Sequence, residues 1–118
     1  MDASELKKRT MQFAVRVLKL ADALPNKPSG RTIANQIARS RTSVAANYRA
    51  ALRGKSQADF INKITIVLEE ADETGFWIEL TELAGLLPTK RLAALRMEAE
   101  ELMKIFNATR TTARNHKS

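Results

Sequence analysis

The sequence contains no cysteine and a single histidine, His116, among its 118 residues. Without cysteine, disulfides, thiolate metal sites and cysteine nucleophiles are excluded. With one histidine, set in the polar stretch TTARNHKS, a Ser-His dyad has a single poorly placed candidate base. A di-iron bundle, which needs two Glu-x-x-His motifs, has no second histidine to draw on. The carboxylates Glu69, Glu70, Asp72 and Glu73 could attract Mg²⁺ by charge, but no further metal-binding pattern accompanies them. The four glycines form no phosphate-cradling loop, and aromatics at 5% offer little for base stacking. No apolar run approaches the roughly 18 residues that a membrane span needs. The opening MDASELKKRTMQFAVRVLKLADALP interleaves apolar and charged residues, unlike a signal peptide. The expectation is a soluble cytoplasmic protein that is not an enzyme, uses no cofactor or metal and has no membrane partner.

What the sequence does contain is helix-forming residues and segregated charge. Ala, Leu, Arg, Glu and Lys dominate, and 44% hydrophobic with 28% charged residues suits one globular domain with a modest core. The net charge of +7 is uneven. Residues 1–27 carry +3, residues 28–54 carry +5 from five arginines without one acid, residues 55–84 carry −5, and residues 85–118 carry +4. Such a basic surplus favours encounter with a polyanion.

Apolar periodicity and punctuation divide the chain into four amphipathic segments. Leu6, Phe13, Val17, Leu20 and Leu24 recur near a 3.6-residue period, predicting a helix over about residues 4–24 that Pro25 and Pro28 terminate. Ile33, Ile37, Val44, Tyr48 and Leu52 mark a second over about 29–53, closed at Gly54. Ser56, three residues before Asp59, opens a third with a capping-box-like start, over about 56–84, and the GLLP sequence ends it. Leu92, Leu95, Ala99, Leu102 and Phe106 mark a fourth, about 89–112, followed by a polar, basic end expected to fray. Four such helices with short connections predict an all-α, antiparallel up-and-down four-helix bundle over residues 1–118 as a single domain.

The third segment carries a second apolar line of Ile66, Trp77 and Leu80, with Phe76 beside them and Glu70 and Glu73 between. One buried stripe suffices in a lone bundle, so this line predicts an oligomer interface. The alternative is cover within one subunit, by the fourth helix or the connection between the first two.

Gln36, Ile37, Arg39, Ser43, Val44 and Asn47, followed by Ser56, Phe60 and the acidic EEADET, carry a family likeness. In them the chain resembles the small bacterial four-helix-bundle proteins encoded in intervening sequences of 23S ribosomal RNA genes. More distantly it is similar to the accessory variability determinants of diversity-generating retroelements. The likeness spans about Thr10 to Phe106. It implies a homopentamer and, through the retroelement relatives, a basic surface that binds RNA or DNA and a reverse transcriptase. Residues 47–51 read Asn-Tyr-Arg-Ala-Ala where the family commonly shows Asn-Ile-Ala-Glu-Gly.

On a helical wheel, Gln36, Ser43 and Asn47 edge the apolar face of the second segment, with Arg39 nearer its polar side, and Asp72 edges that of the third. Polar groups at such edges are usually hydrogen-bonded between helices. Arg39 or Arg41 pairing with Glu69, Asp72 or Glu73 would fix helix register, within the chain or between subunits. Arg31, Arg49 and Arg53 project away from the core, sharing their sector with Asn35 and Thr42. With Lys7, Lys8 and Arg9 at the start and Arg110, Arg114 and Lys117 at the end, they are the candidates for sequence-independent phosphate contacts. Two readings follow: a homo-oligomeric nucleic-acid-binding bundle acting as an accessory factor, or an oligomeric scaffold engaging another protein.

Overall fold

A computed structural model describes residues 1–40 and 43–116, apart from the side chains of Ser40 and Ser43. It contains α1 (Ala3–Ala23), α2 (Pro28–Ser40), α3 (Ser43–Leu52), α4 (Gln57–Leu83) and α5 (Thr89–Asn115). Both α2 and α3 lie between α1 and α4, so together they fill one of four positions in an antiparallel bundle. The helices α5 and α1 close the circuit. Among the described residues the backbones of α1 and α4 do not adjoin, which places these helices on a diagonal. The principal extents, 52 × 22 × 20 Å, suit long helices running side by side; a 27-residue helix alone is about 40 Å long.

Each helix starts and stops for a local reason. Asp2 caps α1: its Oδ1 accepts from the Glu5 amide at 2.8 Å. The sharp entry into α2 depends on Gly30, since a Cβ there would lie 1.9 Å from the Pro25 carbonyl oxygen. Ser56 caps α4 by accepting from the Asp59 amide at 3.0 Å. At the other end Gly85, at φ +67°, closes α4 in a Schellman motif. There the Gly85 amide donates to the Glu82 carbonyl at 3.0 Å and the Leu86 amide to the Thr81 carbonyl at 3.1 Å.

Helix α5 runs three residues beyond the expected end at 112, through part of the stretch expected to fray. Its last turns are tied to α4: Gln57 Nε2 donates to the Ala113 carbonyl, and Arg110 Nη1 to Thr65 Oγ1 at 3.4 Å. Residues 41–42 and 117–118 lie outside the described residues, and with them Arg41, Thr42, Lys117 and the side chain of Ser43 from the candidate sets.

The core follows the periodicity except at Leu52, which is 40% exposed while the neighbouring Ala51 is buried in its place. Val17, Ile37, Ile64, Val67, Ile78, Leu92, Leu102 and Phe106 are fully buried. Tyr48 on α3 and Phe106 on α5 meet across the second diagonal with ring centroids 5.2 Å apart and planes tilted by 59°. Burial, then the nearby Asp2 carboxylate, raises the Tyr48 phenol above its ordinary pKa. Three threonines also sit in the core, each returning its hydroxyl to its own helix. Thr10 donates to the Lys7 carbonyl, Thr74 to that of Glu70 and Thr81 to that of Trp77, all at 2.8 Å.

Candidate functional site

The candidate phosphate-binding residues divide into two groups. Arg31, Arg49 and Arg53 are exposed, as are Lys7, Lys8 and Arg114. Arg49 lies on α3 and Arg53 four residues later, in the turn that follows, so the pair shares one side of the chain. Among the described residues Arg49 and Arg53 enter no ion pair, and Arg31 only donates to Asn26 Oδ1 at 3.0 Å.

Arg9 and Arg110 are placed otherwise. Arg9 leans from α1 onto α5 and grips Glu98 with two hydrogen bonds of 2.7 Å, from Nε and Nη2. The bidentate pair, then the neighbouring Glu101, holds the guanidinium firmly protonated against its partial burial. Arg110 is half-buried between α4 and α5, bonded to Thr65 and Asn107, with a buried Nε that has no hydrogen-bond partner. Both arginines are engaged by their own fold. Nothing in their sequence spacing showed it, because Arg9 and Glu98 lie 89 positions apart. A further inter-helix pair, Arg96 with Glu82, was equally invisible.

Of the expected polar seam, Arg39 approaches Glu73 at 3.9 Å, with 74% of its own side chain exposed. A pair so open contributes little. Gln36 and Asn47 are half-buried. Glu69 and Asp72 instead open onto a groove of about 510 Å³ between α4 and α5, opposite Met103, Lys104 and Arg110. Glu70 is half-buried among acids. Desolvation first, then repulsion from Glu73 and Glu69, raises its pKa above the usual carboxylate value, with Arg39 opposing.

The second apolar line on α4 is split. Trp77 and Leu80 pack, partly buried, against the chain's own core, while Ile66 and Phe76 are exposed. Phe76 keeps 54% of its surface in solvent and meets Trp77 edge-on at 4.9 Å. Leu83, two turns beyond Phe76, is 77% exposed. The sequence reading missed an exposed apolar stripe on α1, Met11, Val15 and Leu18. Its spacing of four then three residues was visible, but the stripe lies behind the stronger core pattern of the same helix.

Among the described residues, no group of three or more His, Cys, Asp and Glu could hold a metal ion. None of the described helices is long and apolar enough to cross a membrane.

These features define a small antiparallel helical bundle with exposed arginines on one arm and exposed apolar residues on α1 and α4. The chain belongs to the 23S rRNA-intervening sequence protein family, whose profile matches residues 3–108. It is similar to a crystal structure from Bacteroides thetaiotaomicron, described as a protein of unknown function from the S23 ribosomal protein family. The two superpose with a TM-score of 0.82 at 35% sequence identity, covering 88% of this chain and 96% of that one. No curated protein matches the chain.

Proposed function

We propose that this protein is a non-enzymatic, self-associating bundle that binds RNA or DNA with little sequence preference. The observation that carries this reading is the exposure of Arg49 and Arg53, outside any ion pair among the described residues, within a 27-residue stretch that has five arginines and no acid. Guanidinium groups left in water can exchange hydration for phosphate oxygens without first breaking an internal bond. Arg31 extends the same set along α2. Self-association strengthens the case, because a homopentamer would multiply the +7 of one chain to about +35 before screening.

Fluorescence anisotropy with a labelled oligonucleotide tests this directly. Binding is expected at low salt, with affinity falling steeply between about 50 and 200 mM through counterion release. Changing Arg31, Arg49 and Arg53 together to Gln should weaken binding and flatten the salt dependence, while thermal melting stays close to native. Absence of binding at about 50 mM salt and micromolar protein overturns the reading. A second reading, an oligomeric scaffold for a protein partner such as a reverse transcriptase, is favoured by the exposed Phe76, Leu83 and Met97. It predicts an association that salt affects only weakly.

A further inference from the structure

The helices α1 and α4 occupy one diagonal of the bundle, so their outer faces look to opposite sides of the chain. Each outer face carries an apolar ridge whose own helix bears charge of one predominant sign, with Lys104 and Arg110 of α5 facing Glu69 and Asp72 across the neighbouring groove. On α1 the residues Lys8, Met11, Val15 and Leu18 are exposed at spacings of three, four and three, with Lys19 beside them. On α4 the residues Glu69, Asp72, Phe76, Glu79 and Leu83 are exposed at spacings of three, four, three and four. These are the intervals at which two helices pack lengthwise on each other. The charges are opposite. Helix α1 carries five basic and two acidic residues, and α4 one basic and seven acidic. Among the described residues, Lys8, Lys19, Glu69, Asp72 and Glu79 enter no ion pair within their own chain.

We infer that these two faces bind one another between copies: the outer face of α1 in one chain seats against the outer face of α4 in the next. This rests on the self-association proposed above and goes further, by assigning its two surfaces. The helices run the same way within one chain, so copies standing side by side bring them together in parallel. Lys8 to Val15 and Glu69 to Phe76 are both intervals of seven residues. A parallel alignment that sets Lys8 against Glu69 therefore sets Val15 against Phe76 and leaves Lys19 next to Glu79. Such a contact is heterologous, since each copy offers one face and receives the other, and repetition generates a ring when the rotation closes. Contact of α1 with α1, or of α4 with α4, would instead oppose like charges. The assignment removes Lys8 from the phosphate-contacting set and leaves Arg49 and Arg53 outside the contact.

The cysteine-free sequence gives a direct test. Oxidation of the Val15→Cys, Phe76→Cys double variant should give a ladder of linked chains beyond the dimer on a non-reducing gel. The diagonal prevents closure within one chain. Either single variant should give no ladder and little dimer. Light scattering on charge variants supplies an independent reading: Lys8→Glu with Lys19→Glu, or Glu69→Lys with Glu79→Lys, should lower the native mass, and combining all four should restore it. Native mass retained in either reversal, or no links beyond the dimer in the double-cysteine variant, overturns the α1-to-α4 contact. A native protein that runs as a 13.2 kDa monomer overturns self-association itself. Loss of nucleic-acid binding alone leaves the contact standing.

Discussion

In the α4–α5 hairpin, Arg96 is held by Glu82, and Arg110 by Thr65 and Asn107, while Arg9 reaches in from α1 to close on Glu98. On α3 and the turn after it, Arg49 and Arg53 stand in water with no acid on their own segment. Both regions are rich in arginine, yet the first employs it to fix the angle between helices and the second leaves it at the surface. Segment charge therefore does not identify the residues available to a ligand. Placement does, because a bidentate contact must be broken before its arginine can bind phosphate.

The sharpest way to break this comparison is to separate the two regions physically. Phe106 of the hairpin packs on Tyr48 of the arm and is fully buried. Phe106→Ala should cost about 3–5 kcal/mol through lost burial and the cavity left behind. A calorimetric melt should show a fall of roughly 10 °C or more for a domain of this size. A loss near 1 kcal/mol would mean that the arm and hairpin are stable independently of each other.

A more selective test replaces one arginine from each region. Arg9→Met keeps the apolar stem but leaves Glu98, itself largely buried, without its two charged hydrogen bonds. A loss of about 1–2 kcal/mol is expected, below the full value for charged hydrogen bonds because the site keeps some contact with water. Arg49→Met, at an exposed position, should stay within about 0.5 kcal/mol of native in urea unfolding. The order should reverse in nucleic-acid binding, where Arg49→Met carries the larger effect. Equal stability losses would erase the distinction between engaged and available arginines.

The same distinction marks what could be read without coordinates. The apolar positions of every segment, the Ser56 cap and the GLLP stop at Gly85 are local signals, repeated within a turn or two, and they fixed helix limits to within one or two residues except after 112. The single segment expected over 29–53 is described as α2 and α3, on either side of residues 41–42. The end of α5 needed Gln57, 56 positions away from Ala113, to satisfy a late carbonyl. Arg9 has only Glu5 within a turn of its own helix, and the adjacency of α1 and α5 selects Glu98, 89 positions away. Trp77 lies about a quarter-turn from the buried stripe of α4, a direction that periodicity alone leaves open between core and interface.

The smallest expected effect lies at the junction of the two regions, where Asp59 opens α4 just after the basic arm. Its carboxylate accepts from Lys63 Nζ at 2.6 Å and from the Lys55 amide at 3.2 Å. These two bonds, the lysine first, lower its pKa below the ordinary 3.8. A carboxylate depressed on folding contributes stability above its unfolded pKa, and that contribution fades as pH falls through 3.8 towards the lower folded value. Asp59→Asn should therefore unfold at a slightly lower urea concentration than native protein at neutral pH. The gap should hold down to about pH 5 and shrink below about pH 4. Circular dichroism at three pH values is sufficient. A gap that persists unchanged into acid would assign the effect of Asp59 to its place in the first turn rather than to its charge.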